Sequence, residues 1–302
     1  MPRALSLQLR LVRYLLRLLN GYAQTFPVEV EPEPFDSARL TAAESELRGL
    51  PMPDDDARAY LSKHIPRLAR TLALVPEPGP TGRVLELGCY MQITPLLHRL
   101  CGYREVRGAY QGPVGRVDVK TMQFGNETFR CEVDHFDAER DRFPYPDGHF
   151  DLVIAGEIIE HLVSDPMHLL LESRRVLREN GYLLVTTPNV GSVTSVAKTL
   201  DGHDNPQIFF LYDRPMPDRL PNVGHVREYT AWELGDAVRA AGFEVNKLFT
   251  THISEWATHL RLIRFLQVNG YSAEHRGEQT WCLATKRQQS PIDRYPWFIY
   301  NP

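Results

Sequence analysis

The sequence has no apolar run approaching the ~20 residues that a membrane-spanning helix needs. Its four cysteines, Cys89, Cys101, Cys131 and Cys282, include no Cys-x-x-Cys pair. That excludes a zinc ribbon and a dense disulfide framework and points to a reducing, cytoplasmic setting. Basic charge is short as well, with 34 Lys and Arg against 38 Asp and Glu and a net charge of -4. Such a chain exerts no general pull on nucleic acid. No internal repeat is visible. What remains is an ordinary soluble composition, 43% hydrophobic and 24% charged over 302 residues. This is long enough for one large domain with additions or for two small ones.

Glycine is scarce in one telling stretch, Val84-Leu-Glu-Leu-Gly-Cys-Tyr-Met-Gln92, which holds Gly88 alone. An apolar run carrying Glu86 and ending at Gly88 reads as a buried strand that meets a nucleotide-type cofactor at the carboxyl edge of a parallel sheet. Further glycines are expected at positions 90 and 92, where the chain has Tyr90 and Gln92.

Around this stretch the chain divides into three. Residues 1–78 form a helical extension and linker. Within them, Leu5, Leu9, Val12, Leu16 and Leu19 share one side of a helix while Arg10, Arg13 and Arg17 cluster on another. The arginines rule out the uncharged core of a secretion signal. Residues 4–20 either dock on the domain or a partner subunit, or rest peripherally on an anionic membrane. Helices are expected over Ser37 to Leu50 and Asp55 to Leu74, the second capped by Asp54. Residues 79–287 alternate strands and helices. Strands are expected at Arg83 to Leu87, Glu105 to Tyr110, Thr128 to Val133, Phe150 to Ala155, Tyr182 to Thr187, Phe243 to Phe249 and Thr280 to Lys286. Helices are expected at Thr94 to Leu100, Pro166 to Arg178 and Thr230 to Ala241, with Asn180-Gly181 as the stop of the second. Insertions at about 191–227 and 251–279 read as a substrate lid and a cover or dimer contact. The tail, residues 288–302, holds Tyr295, Trp297, Phe298 and Tyr300. It is too aromatic for plain disorder and is expected to pack on the body or on a second subunit of a homodimer.

Five ordered motifs carry a family resemblance: Val84 to Gly88, Phe143 to Asp151, Glu157-Ile-Ile-Glu-His-Leu162, Arg175 to Asn189, and His225-Val-Arg-Glu-Tyr-Thr230 with Ala240-Ala-Gly-Phe-Glu244. Together they resemble class I S-adenosylmethionine-dependent methyltransferases, in particular the branch with ubiquinone-pathway and surface-glycan O-methyltransferases. The resemblance implies an α/β, Rossmann-like, seven-stranded and mostly parallel sheet with helices on both faces, its last strand antiparallel. It implies that Glu86, Gly88, Cys89, Tyr90, Tyr110, Asp137 and Gly156 line the cofactor. Tyr110 stands where the family usually has an acid for the ribose diol, and a phenol cannot chelate a diol as a carboxylate does. Glu157 and His161 are the expected catalytic pair.

Glu157, Glu160 and His161 stand at i, i+3 and i+4, so a helix beginning here would converge them on one face. The motif also resembles a metal-ligand set that a later histidine completes, here His225. Two carboxylates and two imidazoles suit Mg²⁺, Mn²⁺ or Zn²⁺. His161 as a base, or as a structural residue, remains an alternative. The expected activity is O-methylation of a small-molecule, sugar or lipid-linked acceptor. The competing readings are a catalytically silent methyltransferase-like scaffold and an RNA ribose methyltransferase.

Overall fold

The computed structural model describes residues 34–202, 224–252, 260–288 and 292–300. The expected amphipathic helix at residues 4–20 and most of the lid, including His203 and Phe209, lie outside them, as does Trp256. Two helices open the described chain, α1 (Ser37–Arg48) and α2 (Asp55–Leu74). Each begins on an aspartate: the Asp36 carboxylate accepts the Arg39 N–H and the Asp54 carboxylate accepts the Ala57 N–H. These caps satisfy donors that the first turn leaves orphaned.

An eight-stranded sheet follows. Its strands are β1 (Arg83–Leu87), β2 (Glu105–Tyr110), β3 (Val117–Phe124), β4 (Glu127–His135), β5 (Phe150–Gly156), β6 (Leu177–Pro188), β7 (Phe243–Thr251) and β8 (Gln279–Lys286). Their spatial order is β3-β4-β2-β1-β5-β6-β8-β7. The pairs β1–β2, β2–β4, β1–β5 and β5–β6 are parallel, and β8 runs antiparallel to both neighbours. The expected seven strands are all present, with β8 as the antiparallel last one. The eighth, β3, is a correction. It pairs antiparallel with β4 from Val117↔Asp134 to Phe124↔Glu127, through a turn in which Gly125 takes φ +59°. A Gly-Asn pair between two alternating runs is a hairpin signal.

The remaining helices are α3 (Thr94–Arg99), α4 (Pro166–Val176), α5 (Val193–Asp201), α6 (Ala231–Ala240) and α7 (Leu260–Val268). α4 is shorter than expected, because Leu177 already pairs with Phe150 and begins β6. Asn180 then takes φ +61° inside the strand instead of stopping the helix. α6 opens on a reciprocal cap between Thr230 and Glu233.

The sheet has a core on each face. Leu47, Leu68 and Leu72 of the first two helices and Leu96 and Leu97 of α3 pack with Val84, Val133 and Leu152 on one side. Leu169, Leu170, Leu234 and Val238 pack with Leu85, Val153 and Val185 on the other. Alternation along each strand sends successive side chains to opposite cores. Phe298, Ile299 and Tyr300 of the tail join the second core. Arg294 and the Tyr300 hydroxyl hold Asp165 at the start of α4, so the described tail packs on its own body. α5 and α7, from the two expected insertions, share a small third core of Val193, Leu262 and Ile263. Among the described residues, no helix is long and apolar enough to cross a membrane.

Gly108 on β2 lies flush beneath the first-motif loop. A Cβ there would meet Cys89 Sγ at 2.7 Å and Val133 Cγ2 at 3.0 Å. Gly108→Ala is therefore expected to cost about 1–3 kcal/mol through overpacking, read as a lowered urea midpoint. An unchanged midpoint would show that the loop moves freely.

Candidate active site

The parallel strands β1, β2, β4, β5 and β6 all end at one edge, bringing Leu87, Tyr110, His135, Gly156 and Pro188 to a common level. Beyond β1 the chain turns at Gly88, φ +69°, and again at Met91, φ +64°. The missing glycine at Gln92 is thus compensated one residue earlier by a methionine in the left-handed region, which costs backbone strain. The Cys89 N–H donates to the Ala109 carbonyl at 2.9 Å, holding the loop against β2. Its side chain is fully buried and turned towards Cys131 and Thr94.

Glu86 also turns inward. It is 6% exposed and accepts a hydrogen bond from Thr94 Oγ1 at 2.6 Å. Burial raises its carboxyl well above the usual range, and through Thr94 it braces the start of α3. Asp137 is likewise engaged locally. Its Oδ1 accepts the Glu139 N–H at 2.9 Å, and its own N–H donates to Asp141 at 2.7 Å. These two acids, expected at the cofactor, are structural at least in part.

Tyr90 and Tyr110 stand together at the carboxyl edge of the sheet. Their rings meet edge to face at 5.4 Å, and the Tyr110 hydroxyl donates to that of Tyr90 at 3.2 Å. Both keep exposed surface, 61% and 36%.

Glu157 departs most from the sequence expectation. It takes φ +54°, strained for a non-glycine residue, and only a single tight turn, Ile159–His161, follows it. No helix starts at Glu157, so the i, i+3, i+4 geometry does not apply to it. Its carboxylate accepts from Thr186 Oγ1 and Gln279 Nε2, both at 2.7 Å. Arg67 of α2 approaches the same oxygen at 3.7 Å. The sequence reasoning missed Arg67, Thr186 and Gln279. The available signal was the spacing of Tyr60, His64 and Arg67, at i, i+4 and i+7 on one face of α2. The Tyr60 ring lies 4.3 Å from that of His64. Burial, then the charges of Arg67 and Lys63, lower the His64 imidazole to about 4, with Glu157 opposing, so His64 is neutral at physiological pH.

The other acid–histidine residues do converge. Glu160, His161 and His225 place ligand atoms within 4.8 Å of one another, without Glu157. The His161 and His225 rings meet at 4.9 Å. Glu160 is fully buried. Its Oε2 accepts from Thr187 at 2.9 Å, its Oε1 has no hydrogen-bond partner, and His161 Nε2 lies 3.9 Å from that Oε1. Burial, then the charge of Glu157, pushes its carboxyl well up. Glu228, unremarked in the sequence, holds His225 Nδ1 at 2.7 Å and keeps its buried Oε2 without a hydrogen-bond partner. A buried carboxylate fixing one imidazole nitrogen is how a histidine is oriented towards a metal or a substrate. An orphaned carboxylate oxygen facing two imidazoles suits a divalent cation.

A parallel sheet with a cofactor-type loop after β1 and a polar cluster after β5 defines an α/β transferase-type site. The model of a methyltransferase domain matches residues 56–248, more than half of the chain. The chain belongs to this family, the S-adenosylmethionine-dependent methyltransferases of class I. An S-adenosylmethionine-dependent methyltransferase of Mycolicibacterium smegmatis is 36% identical over 102 residues, covering 34% of this chain and 32% of the relative. The malonyl-[acyl-carrier protein] O-methyltransferase of a Marinomonas species is 28% identical over 120 residues, covering 39% and 38%. The matched part is thus about a third of these curated relatives' length. A methyltransferase solved in complex with the Haloferax volcanii Trm112 methyltransferase activator matches with a TM-score of 0.50 at 15% identity, covering 86% of this chain and 100% of that one. That likeness speaks to the fold alone.

Proposed function

We propose that this protein transfers a methyl group from S-adenosylmethionine to a hydroxyl of a small-molecule, sugar or lipid-linked acceptor. The observation that carries the reading is Arg67. Its side chain is only 12% exposed, and among the described residues the acid it faces is Glu157, with one carboxylate oxygen at 3.7 Å. A guanidinium held this loosely keeps N–H donors for a further anion. The α-carboxylate of the cofactor would complete it through a bidentate pair. The Tyr90 and Tyr110 hydroxyls offer hydrogen bonds to the ribose in place of the missing acid. The residues present therefore fit the cofactor, although Glu86 and Asp137 contribute less than expected.

When bound, S-adenosylmethionine supplies an electrophilic methyl on a leaving sulfur. The protein's tasks are to position the acceptor oxygen and to take its proton. Glu157, fixed by Thr186 and Gln279, orients ligands at the end of β5. His161, with 36% of its side chain exposed, is within reach of an acceptor and receives the hydroxyl proton. In the alternative arrangement Glu160, His161 and His225 would hold a divalent cation, which would supply positive charge beside the acceptor oxygen in place of His161 as base.

A silent scaffold is disfavoured because it has no use for a strained Glu157, orphaned carboxylate oxygens and a loosely paired arginine at one strand edge. An RNA acceptor is disfavoured by the net charge of -4. The test is release of S-adenosylhomocysteine with a panel of hydroxyl acceptors and with their O-methyl ethers. Release is expected with free hydroxyls alone. Release with amines or thiols but not hydroxyls would overturn the O-methylation reading.

A further inference from the structure

The sheet has two edge strands, β3 and β7, and they are built differently. At β7 the pairing with β8 slips between Val245 and Lys247, an irregularity of the kind that blunts an edge against foreign strands. At β3 the register with β4 is unbroken from Val117↔Asp134 to Phe124↔Glu127. The Arg116 carbonyl accepts the His135 N–H at 2.9 Å, one step further along the same register. Hydrogen-bonded and non-bonded pairs alternate in an antiparallel ladder, so the even-numbered residues of β3 direct their backbone groups to β4. The backbone groups of Val117, Val119, Thr121 and Gln123 point out of the sheet, and among the described residues no backbone group bonds them. The Val117 and Val119 side chains are 47% and 51% exposed. An edge this regular is a template for one more strand.

We infer that the occupant is β3 of a second copy of this chain, paired antiparallel about a two-fold axis at Val119. That register sets Val119 against its own equivalent as a hydrogen-bonded pair. It sets Val117 against Thr121 in both directions, so outward groups meet outward groups. It also brings Asp118 opposite Lys120 of the second copy, twice, on one face of the joined sheet. Opposite charges directly across a ladder stabilise it, and like charges oppose it. Lys120 makes no ion pair among the described residues and lies over the Tyr110 ring, 5.8 Å from its centroid. Other two-fold registers suit the strand less well. Centring on Thr121 puts Lys120 against Met122 and Asp118 against Phe124. Centring on Val117 leaves Thr121 and Gln123 with no strand opposite. An apolar strand from another protein would leave both charges unmatched. A ribbon this short lies at the small end of specific interfaces, so the dimer is concentration-dependent.

Sedimentation velocity of the full chain is expected to show a monomer–dimer equilibrium. Val119→Pro removes an outward N–H and none of the ladder with β4, a change that an edge strand accepts. It is expected to raise the dimer dissociation constant about tenfold or more, since two cross-copy hydrogen bonds are lost, with circular dichroism unchanged. Lys120→Glu sets like charges across both pairs and is expected to weaken the dimer about fivefold. Cysteine cross-linking reads the register. Val119→Cys brings two equivalents about 5.5 Å apart between Cα atoms, within disulfide reach, and is expected to give a covalent dimer on oxidation by copper phenanthroline in air. Val117→Cys, which faces Thr121, is expected to give none. The four native cysteines are buried. A chain that stays monomeric at every concentration overturns the inference. So does a dimer that persists unchanged in Val119→Pro, or equal cross-linking of the two cysteine variants. Should Val119→Pro fail to fold, Lys120→Glu decides: weakened association supports the inference, and association as in wild type overturns it.

Discussion

Replacing Arg67 with alanine is expected to weaken S-adenosylhomocysteine binding by about 10- to 100-fold, the loss of 1.5–3 kcal/mol that accompanies removal of a charged hydrogen-bond partner. The expectation follows from the half-made contact between Arg67 and Glu157, 3.7 Å apart with side chains 12% and 20% exposed. In the absence of ligand, Glu157 retains Thr186 and Gln279 at 2.7 Å each, so the variant loses little of its fold. Decarboxylated S-adenosylmethionine provides the internal control. It should bind wild type and Arg67→Ala equally, because the group that Arg67 recognises has been removed. His64 reports the same event. Its imidazole is lowered to about 4 by burial and by the charges of Arg67 and Lys63. An anion placed on Arg67 offsets that charge, so the His64 value rises on cofactor binding, which is visible by NMR. Equal loss of both ligands in the variant would mean that Arg67 shapes the helix rather than reads the carboxylate.

His225→Ala is expected to lower turnover by about 10²-fold or more, the range of a lost proton-transfer or orienting group, while S-adenosylhomocysteine affinity stays within about threefold. His225 is held by the buried Glu228 at 2.7 Å and faces His161 across 4.9 Å. Its loss thus leaves the cofactor contacts of Arg67, Tyr90 and Tyr110 untouched. Elemental analysis adds the metal arm. One equivalent of a divalent metal in wild type, absent from His225→Ala, assigns the Glu160, His161 and His225 set to a cation. Full activity after exhaustive chelation assigns the pair to proton transfer alone.

The fold was legible because its signals are local. Each expected strand is an apolar run bounded by turn residues, and Asp54 announces its helix as a cap. β3 was missed because it adds to the sheet edge, where all its residues but Met122 are exposed or half-buried and the Gly-Asn hairpin signal stood without a strong apolar stripe beside it. The site was legible only in part. His225 was placed beside His161 from sequence motifs alone, and the structure brings them together. Glu157 was misplaced in the set because one residue at positive φ breaks the helical spacing, and no residue type announces such a turn. The resemblance gave Glu86 and Asp137 to the cofactor, and no local pattern announced that their carboxyls also accept from Thr94 and from the Glu139 N–H. Arg67 was missed because its partner lies 90 positions away, a separation that no local pattern encodes.

The central claim is that a loop with two tyrosines and a left-handed methionine still holds the cofactor. Calorimetric titration of the full chain with S-adenosylhomocysteine tests it most directly. The account predicts saturable binding at one site per chain. Absence of heat from protein that is folded by circular dichroism, at ligand concentrations up to the millimolar range, would contradict it.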